Sequence, residues 1–131
     1  MLEVIRELNE AGPTAVIPTF MGAHEIPPDF RQNPEAYVDL VVTQMIPEVA
    51  ARKLARFCDV FCETGVFSVE QSERILRAAQ SAGLAPRVHA DELTDLGGAA
   101  MAARIKARTA DHLLYTSDDG IRQMAEAGVI A

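Results

Sequence analysis

Apolar residues fall along this chain in two alternating rhythms: spacings of three and four, which suit one face of a helix, and short near-continuous runs, which suit a buried strand. Leu2, Val4, Ile5 and Leu8 have helical spacing, and Gly12-Pro13 ends that segment. The run Ala15-Val16-Ile17-Pro18-Thr19-Phe20 reads as a strand, with Pro18 awkward in it because proline donates nothing to a ladder. A proline-rich loop from Met21 to Phe30 follows, longer than a turn requires. Asn33-Pro34 has the form of a helix N-cap and first turn, and Tyr37, Val38, Val41, Met45 and Val49 continue the apolar face. Pro47 must kink that helix or divide it.

The alternation then repeats. Phe57 to Cys62 reads as a strand, and Ser68 with Gln71 forms a capping box for a helix ending at Gly83. Pro86 to His89 is a third strand, Gly98 to Ala107 a small-residue helix, and Ala110 to Tyr115 a fourth strand. Ser117 caps a last helix closed by Gly128, and Val129-Ile130-Ala131 opens a fifth strand. Helix and strand therefore alternate throughout, with no hairpin signal and with crossovers long enough for parallel pairing. The pattern fits a doubly wound α/β sheet or part of a (β/α)8 TIM barrel. A whole barrel takes about 250 residues, and this chain opens on a helix and stops in a strand. The expectation is thus a partial barrel, roughly its third to seventh strands.

Composition narrows the class. Over 131 residues the hydrophobic fraction is 49% and the charged fraction 24%, the balance of a soluble globular domain. A net charge of −7, with basic residues interleaved among acids, argues against nucleic acid as a partner. No apolar run approaches the roughly 18 to 20 residues that span a bilayer, and the amphipathic start lacks the form of a signal peptide. A cytoplasmic protein without a membrane partner is expected. Cys58 and Cys62 lie four apart in one strand, about 13 Å at ~3.3 Å per residue, too far to pair. Free thiols fit a reducing compartment, and without a C-x-x-C a structural zinc site is disfavoured.

The chemistry-bearing residues collect at strand ends. Each of the three histidines, His24, His89 and His112, lies at or just beyond the C-terminal end of an expected strand, as do Glu63 and Glu92. In a barrel that rim holds the active site. His89 and Glu92 are the most informative pair: an imidazole at the strand end can ligate a metal, and a carboxylate three residues on can reach the same cavity as general base or substrate anchor. Asp91 reads as a loop or cap carboxylate, and Glu63 equally as a support for the site or as half of a structural salt bridge. Asp111, next to His112, should alternate to the other strand face and meet a helix. No G-x-S-x-G is present, and Cys62, inside an apolar strand, reads as inert packing.

Taken together, these stretches resemble the imidazolonepropionases of the amidohydrolase superfamily. The resemblance is carried by Pro18-Thr19-Phe20-Met21-Gly22-Ala23-His24 with Pro27-Pro28, and by Asp59-Val60-Phe61-Cys62-Glu63 with Gly65-Val66-Phe67-Ser68. It continues in His89-Ala90-Asp91-Glu92 with Leu96-Gly97-Gly98, and in Ala110-Asp111-His112-Leu113-Leu114 with Ser117. It implies a (β/α)8 barrel with one zinc or iron ion that hydrolyses the ring amide of 4-imidazolone-5-propanoate to N-formimidoyl-L-glutamate in histidine degradation, in a protein expected to be a homodimer at full length. It further implies that His89 is a metal ligand, that Glu92 contacts the substrate ring and the attacking water, that His112 stands beside that water, and that His24 holds the substrate. By the same resemblance, residues 1 to 131 are the central part of the barrel. The first-strand histidine pair and the eighth-strand aspartate are not among them, and the chain alone is expected to be inactive. Alternatives are another amidohydrolase, such as a cyclic-amidine deaminase, or a non-catalytic half-barrel that self-associates.

Overall fold

In a computed structural model, which describes residues 1 to 131, the chain forms four parallel strands separated by helices. The strands are β1 (Thr19–Ala23), β2 (Phe57–Cys62), β3 (Ala85–Ala90) and β4 (Thr109–His112). Among the helices, α1 is Leu2–Ala11, α2 Pro34–Leu40, α3 Ile46–Ala51, α4 Val69–Ser81, α5 Gly98–Arg104 and α6 Asp118–Ala127. The expected alternation is present with its strand bounds shifted: β1 runs on to Ala23, into the expected loop, and β4 stops at His112 rather than Tyr115. The first strand begins at Thr19, so Pro18 lies just outside the ladder where its missing N–H costs nothing. Of the fifth strand the chain forms only one parallel bridge, Thr109 to Ile130, which continues the sheet beyond β4.

The strand order in the sheet is β1-β2-β3-β4, the same as in the chain. A doubly wound sheet reverses its order at a switch point, whereas consecutive right-handed crossovers keep every helix on one side, as in a barrel wall. Burial agrees. Cys58, Val60, Cys62, Val88, Ala90 and Ala110 point to the helical side and are buried. The alternate positions Phe57 and Phe61, Arg87 and His89, and Thr109 and Asp111 line the other face and remain partly exposed. The sheet is therefore one arc, with helices outside and an uncovered inner face.

Local sequence explains the helix ends. Asn33 Oδ1 accepts from Ala36 N at the start of α2, and at α4 Ser68 and Gln71 form the full capping box. Pro47 divides its helix through a wide π turn, Val41–Met45, between α2 and α3. The wider turn accommodates a proline ring that would otherwise collide with the carbonyl four residues back. The core lies between sheet and helices, with Phe67, Ile46, Ile75, Leu76 and Met101 among its largest fully buried side chains. No helix is long and apolar enough to cross a membrane.

Candidate metal centre at the strand ends

Parallel pairing sets the depth of each side chain on the inner face. Phe61 pairs with His89 and Asp59 with Arg87, so Asp59 lies on the same face as His89, one pleat deeper. Across the next ladder His89 pairs with Asp111 and Ala90 with His112. Near the top of β1 the register with β2 shifts between Phe20 and Ala23, and the chain then turns to His24. Tyr37 Oη donates to the Gly22 carbonyl at 2.6 Å, which ties this turn to α2.

The three histidines come together as a row. The His24 and His89 ring centroids are 4.6 Å apart and nearly perpendicular, and those of His89 and His112 are 5.1 Å apart. Glu92 Oε2 lies 3.5 Å from His112 Nε2. All four residues expected at the site are therefore neighbours on the C-terminal rim.

The residue at the base of the row is one the sequence reading passed over, Asp59, which is 2% exposed. Its Oδ1 meets His89 Nδ1 at 2.8 Å and His24 Nε2 at 3.3 Å. Burial opposes ionisation of this carboxyl, but the hydrogen bonds and positive charge of His24 and His89 outweigh it and bring the pKa to about 2. The same bond to Asp59 raises the pKa of His89 against the opposing effect of its burial. Arg87 completes the layer beneath: its guanidinium donates to Thr109 Oγ1 at 3.0 Å and to Asp111 Oδ2 at 3.1 Å, and stands 3.8 Å from Asp59 Oδ2. An acid within an otherwise apolar strand was the available signal for Asp59.

Asp111 corrects an expectation. It lies on the inner face with Arg87 and His89 rather than against a helix. Side chains alternate along the strand as far as Asp111, which takes the inner face, while His112 has left the pleat. His112 and Leu113 have φ values of +75° and +59°, so the chain turns out of strand geometry there and the His112 ring comes back toward His89.

His24, Asp59 and His89 offer ligand atoms that all lie within 4.8 Å of one another, compatible with a metal site. The 2.8 Å separation of Asp59 Oδ1 and His89 Nδ1 decides how they divide the work. Two ligands of one tetrahedral zinc-like ion, at about 2.0 to 2.1 Å each, stand about 3.3 Å apart. A separation of 2.8 Å is that of a hydrogen bond. Asp59 thus fixes the ring orientation and tautomer of His89 from behind, the carboxylate–histidine arrangement common at metal centres. His89 Nε2 is left without a protein partner, and the cluster is compatible with an ion on that side.

Two further carboxylates frame the loop that carries Glu92. Glu63, at the end of β2, accepts from the backbone N–H groups of Thr64 and Leu93, both at 2.8 Å, and from the Thr94 hydroxyl. No cation pairs with it, so it is a loop anchor and not half of a salt bridge. Asp91 accepts from Gly98 N at 2.9 Å and Ala99 N at 3.0 Å, the cap role expected of it. Cys62 is buried, and burial pushes its thiol up to about 11, so it is no nucleophile. A separate open cleft of about 460 Å³, lined by Glu25, Ile26, Arg31, Pro34, Val66 and Gln71 among others, contains none of the site histidines.

A singly wound parallel sheet with histidines and carboxylates on its C-terminal rim has the build of part of an α/β barrel, at the face where such barrels carry their active sites. Along 99% of its length the chain is 59% identical to the imidazolonepropionase of Brevibacillus brevis and 55% identical to that of Alkaliphilus metalliredigens. It is 56% identical to the imidazolonepropionase of Symbiobacterium thermophilum. Identity at this level along the whole chain relates it to the imidazolonepropionases, and the chain spans 31% of the length of these three relatives. No protein-family model matches it.

Proposed function

We propose that this chain supplies the central rim of a metal-dependent amidohydrolase that opens the ring amide of 4-imidazolone-5-propanoate to N-formimidoyl-L-glutamate. The observation that carries this reading is the Glu92–His112 pair, 3.5 Å apart, beside a His89 whose Nδ1 is held by Asp59, in a chain related to the imidazolonepropionases. His89 Nε2 would hold one zinc or iron ion together with ligands from outside residues 1 to 131. When bound, the ion supplies Lewis acidity that makes water nucleophilic at neutral pH.

The chain's own residues account for the proton traffic. Hydrolysis adds hydroxide to the carbonyl carbon, breaks the C–N bond and delivers a proton to the departing ring nitrogen. Glu92, partly exposed with Oε2 beside His112, is placed to accept the water's proton at Oε2 and return it to that nitrogen. His112 Nε2, 3.5 Å from that oxygen, is placed to donate its one N–H toward the oxygen on which charge develops. His24, braced against Asp59 and stacked near Phe61 with centroids 6.3 Å apart, bounds the space where the ring lies. A cytoplasmic, homodimeric full-length protein without nucleic-acid or membrane partners belongs to the same proposal. Residues 1 to 131 alone bring too few ligands to retain the ion and turn over no substrate.

The experiment is a chimera in which this chain replaces its matched segment of the Brevibacillus brevis imidazolonepropionase. It should hydrolyse 4-imidazolone-5-propanoate. Glu92→Gln should lower kcat by about 10²-fold or more with metal retained, the usual contribution of a general base, and His89→Ala should lose metal. A chimera that holds metal but acts only on cyclic amidines would replace this reading with the deaminase one. Turnover by the 131-residue chain alone would overturn the claim that it is inactive.

A further inference from the structure

Glu92 occupies the one loop position flanked on both sides by buried, cation-free carboxylates, and these define its place. On its N-terminal side, Asp91 is fully buried and its backbone is held in the left-handed region at φ +50°. Asp91 Oδ1 accepts from Gly98 N, while Oδ2 accepts from Ala99 N at 3.0 Å and from Thr116 Oγ1 at 2.7 Å. On the C-terminal side, Glu63 is 1% exposed. Its Oε2 accepts from Leu93 N at 2.8 Å and Thr94 N at 3.4 Å, and its Oε1 accepts from Thr64 N and the Thr94 hydroxyl.

Both oxygens of both groups receive N–H or O–H donors. A carboxylate's paired oxygens accept all of these bonds, whereas an amide isostere would turn an NH2 toward a donor. Burying two such charges is costly, and simple loop closure does not need them. What they achieve is geometric. The anchors come from three elements: the end of β2, the start of α5 and the segment after β4. That last segment is also tied back through Leu113 N to Ala90 O at 3.1 Å and Tyr115 N to Asp91 O at 2.9 Å. Glu92 is therefore fixed relative to His112 and to the strand carrying His89.

We propose that Glu63 and Asp91 are positioning residues for the reaction, acting on Glu92 through the backbone on either side of it. The proposal rests on the reading of Glu92 as the proton-handling group. A displacement of about 1 Å at such a group costs on the order of 10²-fold in rate, so loss of an anchor reads out mainly in kcat and only slightly in binding.

The test uses the chimera described above. Glu63→Gln should lower kcat ~10- to 100-fold, with KM within about threefold and metal content unchanged. Thr94→Ser, which keeps the hydroxyl bonded to Glu63, should retain activity, and Thr94→Val should lose part of it. Hydrogen exchange on the same proteins should show the Leu93 and Thr94 amides losing protection in Glu63→Gln while those of β3 keep theirs. A Glu63→Gln protein with unchanged kcat, or one whose activity falls only in proportion to its folded, metal-loaded fraction, would overturn the proposal. Unchanged protection at Leu93 and Thr94 would overturn it too, and that measurement stands even if the unsubstituted chimera proves inactive on the imidazolone.

Discussion

At the scale of single residues the site turns on Asp59, which holds His24 and His89 through one oxygen. Removing such an orienting carboxylate typically weakens metal affinity 10- to 100-fold, because the ligand ring loses its fixed tautomer and direction. Asp59→Asn in the chimera should show a loss of that size in chelator competition, with the fold intact. His24, His89, His112 and Glu92 were legible because a polar residue after an apolar run marks a strand end. For Asp59 the sequence offers only an acid inside an apolar strand; its place one pleat below His89 comes from a cross-strand register that one sequence does not reveal. Asp111 was misassigned for a related reason, since period-two alternation fails where His112 takes a positive φ. The cysteines give a cleaner check. Burial pushes the Cys58 thiol up to about 12 and the Cys62 thiol up to about 11. At pH 8 the thiolate fraction is on the order of 10⁻³ or less, so a thiol reagent should label neither until denaturant is added.

Among elements, the join between β3 and α5 is the most constrained. A Cβ on Gly98 would stand 2.7 Å from Ala90 Cβ and 3.2 Å from Asp91 Oδ1, so helix and strand approach too closely for any side chain. Gly98→Ala must push α5 away from the Asp91 carboxylate. A destabilisation of about 1 to 3 kcal/mol is expected from overpacking, measured as a shift of the urea midpoint, together with reduced turnover in the chimera. The sequence showed Gly97-Gly98 as a flexible helix start; that a strand residue excludes the side chain is a tertiary fact it could not carry. Helix caps at Asn33, Ser68 and Ser117 were legible because capping is local, and the π turn before Pro47 was legible only as a break of unspecified form. The loop after β3 should also respond to pH. Burial raises the Glu63 pKa, but its hydrogen bonds from Thr94, Leu93 and Thr64 more than offset this, and the net value falls below the ordinary 4.5. A group depressed in the folded state stabilises above its unfolded pKa, and that stability disappears as pH falls through the folded value. Amide protection at Leu93 should hold from pH 7 to about 5 and decline below about 4.5, and a decline that begins above pH 6 would contradict the anchor.

For the whole molecule, the governing fact is that an arc of four parallel strands has one covered face and one open one. β1 lacks a neighbour on its outer side, and beyond β4 the sheet continues only through the Ile130 bridge. Parallel strands are normally buried on both faces, and unpaired edges invite pairing with other chains. Large apolar side chains stand exposed at or near the strand ends: Ile17 at 58%, Leu93 at 61%, Leu114 at 73% and Tyr115 at 58%. The polar layer of Asp59, Arg87 and Asp111 satisfies its own charges but covers none of this surface. Helix α1 adds to the exposure, since none of its residues is buried and Val4 and Leu8 are both more than half exposed. Burial of such apolar surface yields roughly 25 cal/mol per Å², and copies of the chain offer each other exposed apolar side chains at the strand ends and a sheet edge. At tens of micromolar the 131-residue chain should therefore scatter light as a species heavier than its 14.2 kDa monomer. Ile17→Ser with Leu114→Ser, which removes apolar surface without touching the core, should shift it toward the monomer. A stable monomer before any substitution would mean that the open face is tolerated, and association through it would then have to be abandoned.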